Sequence, residues 1–192
     1  MMDISLSYIS KVAGGTLVGS DAAIDSVVID SRLIQAGSLF VAMKGESVDG
    51  HDFLDQAIAM GAAGALVERH VDCALPQVVV ANCVKALATI ATDYRRRYQG
   101  NVIAITGSSG KTSTKEMLVS ILSVTGPVIA TCGNQNNEIG VPLTVFNLDN
   151  AAAFAVVEMG AAQKGDIAYL MDIVQPDVSV ITNVGSAHLG RF

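Results

Sequence analysis

One stretch constrains the fold of this chain more than any other. Val102 to Ile105 is an apolar run of strand length, Thr106-Gly107 breaks it, and Lys111-Thr112 opens a segment with helical periodicity to Leu122. Strand, glycine loop and helix in that order form a cradle for an anion. Glycine lets backbone N–H groups approach closely, and the helix N-terminus adds the positive end of its dipole. In such a cradle Lys111 reaches the β- and γ-phosphates of a nucleotide and the Thr112 hydroxyl ligates Mg²⁺, with Gly107, Ser108, Ser109, Gly110 and Ser113 around the phosphates. The long form of the pattern asks for a glycine five residues before Gly110, where Ile105 stands, so only the short form Gly107-x-x-Gly110-Lys111-Thr112 remains. That short form also arises as a tight turn with a helix cap. The strand before it and the helix after it favour the nucleotide site.

With 192 residues the chain has room for one domain or two small ones. Half of it is hydrophobic, with few aromatics and no Trp, which suits an α/β protein with buried strands. A formal charge of −6 argues against a nucleic-acid surface, since a phosphate backbone needs clustered Lys and Arg. A small phosphate-bearing molecule needs only a local positive pocket. Cys73, Cys83 and Cys132 are an odd number without paired spacing, so neither a disulfide framework nor a zinc site is expected, and reduced thiols in the cytoplasm are the default. No basic segment precedes an apolar core at the start, and the longest apolar runs are of strand length, so neither a signal peptide nor a membrane span is expected.

Along the chain, Leu6, Ile9 and Val12 are spaced for a helix face that Gly14-Gly15 ends. Strands are predicted over 26–29, 38–43, 65–67 and 77–81. The polar loop 44–51 follows the second of these, and Asp52 or a neighbour caps a helix through Met60. Val84 to Tyr98 predicts a long helix ending in Arg95-Arg96-Arg97. Those arginines read either as a phosphate patch or as a solvated last turn that complements the helix dipole, and the second reading is preferred. Gln99-Gly100 marks the expected domain boundary. Beyond it, strands at 102–105, 128–130, 154–158 and 178–182 alternate with helices at 112–122, from about Glu138, and at 166–174. Alternation of this kind implies a parallel sheet with right-handed crossovers, whose ligands sit beyond the carboxyl ends of the strands.

The glycine loop, Glu158 and the loop holding His188 all fall at such ends. An acid that ends an apolar strand in a phosphate-loop domain stands where a metal-binding carboxylate belongs, although a helix cap or surface acid is the plainer reading. Residue chemistry alone leaves His188 open between a structural hydrogen-bonder and a functional group. Asn134, Gln135, Asn136 and Asn137 offer many uncharged donors and acceptors, which suits recognition of sugar or amide groups; Asn137 could equally cap the next helix.

These segments together resemble the Mur ligase family. The resemblance is carried by Asp30-Ser31-Arg32, by Gly37 to Ala42 with Gly45 and Asp49-Gly50-His51, and by Thr106 to Thr112. It continues through Gly133 to Pro142, Val157 to Gly160, and Asn183 to His188. It implies a small mixed α/β domain over residues 1–99 that binds a UDP-sugar peptide. Residues 100–192 are then the first part of a central phosphate-loop, parallel-sheet ATPase domain. It further implies an ATP- and Mg²⁺-dependent ligase of peptidoglycan precursor synthesis, working through an acyl phosphate. Ser108-Ser109 and the Asn-rich segment look more like the member that adds D-alanyl-D-alanine to UDP-N-acetylmuramoyl-tripeptide than the sister that adds the third peptide residue. That sister, or a nucleotide-binding module without catalysis, is the alternative. By resemblance His188 helps hold a second metal beside Thr112 and Glu158. Asn136 and Asn137 orient the UDP-sugar peptide, while Ser31, Arg32, Lys44, Gly45 and His51 bind its uridine and pyrophosphate end. The family's third domain and its carbamylated lysine would lie beyond Phe192. An amino-terminal fragment is therefore expected, inactive by itself and self-associating through an open sheet edge, of a parent that is a monomer without nucleic-acid or membrane partners.

Overall fold

The computed structural model describes residues 4–45 and 47–185. The chain divides into two units, 1–90 and 91–192, and the division falls inside a helix.

In the first unit β1 (Ile4–Ser5) leads directly into α1 (Leu6–Ala13). Ser5 caps α1 by accepting from the Tyr8 N–H, and Gly14 ends it in the left-handed region at φ 64°. Leu6 and Ile9 are buried on its inner face. β2 (Thr16–Val18), β3 (Ala23–Ile24), β4 (Ser26–Val28), β5 (Ser38–Val41), β6 (Gly64–Val67) and β7 (Gln77–Val79) follow. The main sheet has the order β2-β7-β6-β5-β4, parallel except where β2 meets β7, and β1 pairs with β3 apart from it. β5 and β6 are buried along their whole length, as central parallel strands covered on both faces must be. β4 at the sheet edge is only half-buried, so the strand expected over 26–29 forms as an edge strand.

A short 3-10 turn (Gly50–Phe53), capped by Asp49 accepting from the His51 N–H, precedes α2 (Leu54–Ala59), which has no side-chain cap, so Asp52 does not cap it. The core of this unit includes Ile34, Phe40, Leu54, Ala57, Ala65, Val67 and Leu75. α3 (Cys83–Arg95) runs across the division between the units.

The second unit contains β8 (Asn101–Thr106), α4 (Lys111–Leu122), β9 (Val128–Ala130), α5 (Gly140–Phe146), β10 (Phe154–Glu158), α6 (Asp166–Val174) and β11 (Val178–Ile181). Among the described residues its sheet has the order β11-β8-β10-β9, and every pairing is parallel. All carboxyl ends therefore lie along one edge, with Glu158 beside Ile105 and Ile181 beside Thr106.

Arg95 corrects the reading of the three arginines as a solvated turn. Arg96 and Arg97 are exposed, but Arg95 is buried. It donates to Val174 O at 2.8 Å, Gln175 O at 3.0 Å and Tyr98 O at 3.2 Å. Its guanidinium thus satisfies carbonyls at the carboxyl end of α6 that the helix cannot satisfy itself.

Candidate functional site

The carboxyl edge of the second sheet brings together the residues expected to form a phosphate site. β8 ends at Thr106, and the loop to α4 turns on Gly107 at φ 142° and Gly110 at φ 79°. A side chain at Gly107 would collide with the Thr182 hydroxyl, so glycine is required there on steric as well as conformational grounds. α4 starts at Lys111 with no side chain capping it. Its first-turn N–H groups, those of Ser113 among them, lack intrahelical partners, as at any helix start, and an anion at the loop can take them. Lys111 curls back over the loop, its Nζ donating to Gly107 O at 2.8 Å.

Glu158 stands next to this loop because β10 pairs with β8. It is 2% exposed. Its Oε2 accepts from the Thr112 hydroxyl at 2.9 Å and its Oε1 from Asn136 Nδ2 at 2.8 Å. The Glu158 N–H donates to the buried Thr131 hydroxyl at 2.9 Å. Among the described residues no Lys, Arg or His forms an ion pair with this carboxylate. A buried carboxylate whose partners are all neutral is the chemistry of a cation ligand, because buried charges are paired or coordinate metals. Glu158 and Thr112 thus fit a hard divalent ion by donor type. The described residues hold no cluster of three acidic, His or Cys side chains, and Mg²⁺ bound largely through substrate phosphates needs only one or two carboxylates.

The Asn-rich segment divides its work. Asn137 Oδ1 accepts from the N–H groups of Gly140 at 2.8 Å and Ile139 at 3.2 Å, securing the start of α5. Asn136 braces Glu158, and its backbone carbonyl accepts from the Gly160 N–H at 2.7 Å. Of the two residues expected to orient a substrate, Asn136 thus bonds to Glu158 and Asn137 to the start of α5, with these side-chain atoms already engaged. Two participants had no local signal in the sequence. Thr131 directly follows β9, and Lys115 is buried in α4 with its Nζ donating to Thr131 O at 2.9 Å. A lysine one turn after Lys111 reads as an ordinary surface residue until α4 is laid on the sheet. His188 lies outside the described residues.

In the first unit Ser31, Arg32 and the loop from Lys44 to His51 follow the carboxyl ends of the parallel neighbours β4 and β5. Lys44 and Gly45 are exposed and Ser31 is half-buried. The Arg32 side chain is 83% exposed and its Nε and Nη2 grip Asp30 at 2.9 Å and 2.6 Å. That grip holds the Asp30 carboxyl well down, at about 2. His51 differs from its neighbours. It is buried, with Nδ1 at 2.6 Å from Asp49 Oδ1 and Nε2 accepting from the Glu68 N–H at 3.0 Å. Both ring nitrogens are spent, so this side chain ties the loop to the end of β6 and offers a ligand no free nitrogen. The His51 N–H and ring, together with Arg69, hold Asp49 at about 2.

Comparison with known proteins places this architecture in a class. Two family descriptions match the chain, "Mur ligase family, catalytic domain" over residues 23–98 and "Mur ligase middle domain" over residues 105–192, and the chain belongs to the Mur ligase family. Within that family it is similar to the UDP-N-acetylmuramoyl-tripeptide–D-alanyl-D-alanine ligase of Escherichia coli (strain K12), 43% identical over 192 residues, which are all of this chain and 42% of that protein. Among solved structures it resembles MurF from Acinetobacter baumannii, with a TM-score of 0.88 and 42% identity over 96% of this chain and 42% of the other. It also resembles the MurF ligase from Thermotoga maritima in complex with ADP, with a TM-score of 0.77 and 42% identity over 85% of this chain and 38% of that one. The chain thus spans well under half the length of these relatives.

Proposed function

We propose that this chain is the nucleotide- and UDP-peptide-binding part of an ATP-dependent amide ligase that adds D-alanyl-D-alanine to UDP-N-acetylmuramoyl-tripeptide in cytoplasmic peptidoglycan precursor synthesis. The observation that carries the proposal is the pairing of Thr112 with buried Glu158 directly beside the Gly107–Lys111 loop. The Escherichia coli relative, similar over the whole of this chain, supports the choice of substrates by its name. Residues 1–99 are assigned to the UDP-sugar peptide and residues 100–192 to ATP.

A carboxylate is a poor electrophile and must be activated before an amine can displace one of its oxygens. In the proposed reaction a tripeptide carboxylate oxygen attacks the γ-phosphorus and the bond to ADP breaks, leaving an acyl phosphate. The amine of D-alanyl-D-alanine then attacks the acyl carbon, inorganic phosphate departs and the amide remains. Negative charge develops on phosphoryl and acyl oxygens, so positive groups fixed in place beforehand provide much of the acceleration. Lys111 exchanges Gly107 O for phosphate oxygens, and the N–H groups at the start of α4 hold the same anion. Mg²⁺, held by the Glu158 carboxylate and the Thr112 hydroxyl, would supply neutralisation of the phosphate charge. His188 is assigned to a second metal on resemblance. Asn136 keeps the Glu158 carboxylate turned toward Thr112, while Asn137 fixes the segment from which both asparagines face the acceptor.

The full-length protein decides the reading. Supplied with ATP, Mg²⁺ and UDP-N-acetylmuramoyl-tripeptide, it should release phosphate and form pentapeptide with D-alanyl-D-alanine. It should form no product with UDP-N-acetylmuramoyl-dipeptide and a diamino acid. The reverse preference would assign the sister reaction, and phosphate release without any amide would remove the ligase assignment.

A further inference from the structure

Ser108 and Ser109 are the non-glycine residues of the phosphate loop. With Gly107 and Gly110 on either side in the region open mainly to glycine, the stretch has little of its own to hold one path. Its fixed shape comes from the segment just past β11. The Ser109 N–H donates to Asn183 Oδ1 at 3.0 Å. In return Asn183 Nδ2 donates to Ser109 Oγ at 2.8 Å and to Ser109 O at 3.3 Å. The Ser108 N–H donates to Asn183 O at 3.2 Å, the Thr182 hydroxyl donates to Ser109 O at 2.6 Å, and the Gly185 N–H donates to Ser108 Oγ at 2.9 Å.

We propose that Asn183 is a positioning residue for the phosphate loop, its carboxamide clipping both sides of Ser109 and so aiming the N–H groups that meet the nucleotide phosphates. The inference rests on the nucleotide-site reading of Gly107–Thr112 and adds a residue that touches no phosphate. Asparagine suits this task because one planar group offers an acceptor to the Ser109 N–H and two donors to Ser109 oxygens. Aspartate offers acceptors only, and would place a negative charge beside the phosphates. An anion site made of backbone amides depends on their alignment before the ligand arrives, since reorganisation then adds nothing to the cost of binding.

The test is a titration of MgADP into the ¹⁵N-labelled chain, followed by amide shifts and by hydrogen exchange, with Lys111→Ala as the reference for the site itself. Asn183→Ala should speed exchange at Ser109, leave the amides of β8 and β10 protected, and weaken MgADP roughly 10- to 100-fold, the loss typical when an outer partner that orients a metal ligand is removed. Ser109→Ala removes only the acceptor of the Asn183 Nδ2 bond. It should weaken MgADP about threefold in the parent and have no further effect with Asn183→Ala. If Lys111→Ala weakens MgADP and Asn183→Ala does not, the positioning role is wrong and the nucleotide site stands. Tighter binding by Asn183→Ala would also overturn it, because Asn183 would then compete with the phosphates for the Ser109 N–H. If neither variant changes binding, the site reading fails and the inference fails with it. Should Asn183→Ala not fold, Ser109→Ala decides alone, and an unchanged affinity refutes the clip.

Discussion

Replacing Glu158 by Gln separates the charge of this side chain from its shape. The carboxylate is 2% exposed and accepts from Thr112 Oγ1 at 2.9 Å and Asn136 Nδ2 at 2.8 Å. A glutamine Oε1 keeps the bond to Asn136. Its Nε2 can donate to the Thr112 hydroxyl, which is free to turn its own proton away. Both bonds survive, so folding stability should change by less than ~1 kcal/mol. The charge facing the phosphate loop is lost. Two unit charges about 4 Å apart near a protein surface attract by ~4 kcal/mol, and stripping water from the ion returns part of that. A net loss of ~2–3 kcal/mol, roughly 30- to 150-fold in divalent-ion affinity, is expected. The assay is electron paramagnetic resonance of Mn²⁺ titrated into protein and ADP, with a thermal melt on the same samples. Mn²⁺ affinity within about threefold of the parent, together with an unchanged melt, would refute the assignment of Glu158 to the metal.

Lys111→Ala should weaken MgADP by the ~1.5–3 kcal/mol of one charge-assisted bond while leaving the melt in place, and calorimetry showing near-normal affinity would contradict the role of this loop. Arg95→Ala removes three bonds to carbonyls, two of them buried, and should cost ~3 kcal/mol or more of stability. Arg96→Ala should cost almost nothing in the same urea titration, and equal effects would restore the solvated-turn reading. The Asp30 and Asp49 carboxyls sit at about 2 instead of their ordinary 3.8, held first by the Arg32 side chain and by the His51 N–H respectively. A folded value below the unfolded one means stability that is full above 3.8 and lost as pH falls through about 2. Urea titrations of the parent and of Asp49→Asn should therefore converge over that window, and a parental advantage undiminished at pH 2 would show that Asp49 acts by something other than its charge.

What could be read from the sequence follows from where the information sits. Phe154–Glu158, Val128–Ala130 and Asp166–Val174 match their expected ranges, because unbroken apolar runs and helical spacing report burial directly. The glycine loop between β8 and α4 was legible for a similar reason: its glycines, Lys111 and Thr112 lie close together in the chain. Glu158 needed only its strand and a neighbouring loop. The misses depend on distant parts of the chain. Three consecutive arginines look alike, and only the carboxyl end of α6, some eighty residues on in the chain, singles out Arg95. His51 looks like a loop ligand until β6 supplies the Glu68 N–H. Asn183 lay inside a motif read for its histidine, and its bonds to Ser109 exist only because β11 pairs with β8. β1, β2 and β3 are two or three residues long, too short for alternation to register.

Amide shifts of this chain titrated with ADP, with and without Mg²⁺, decide whether the carboxyl edge between β8 and β10 is a metal–nucleotide site. ADP alone should shift Gly107 to Ser113. Adding Mg²⁺ should then extend the change to Glu158, Thr131 and Asn136, with residues of the first unit silent throughout. Shifts confined to the first unit, or Mg²⁺ leaving Glu158 and its neighbours unmoved, would contradict that assignment.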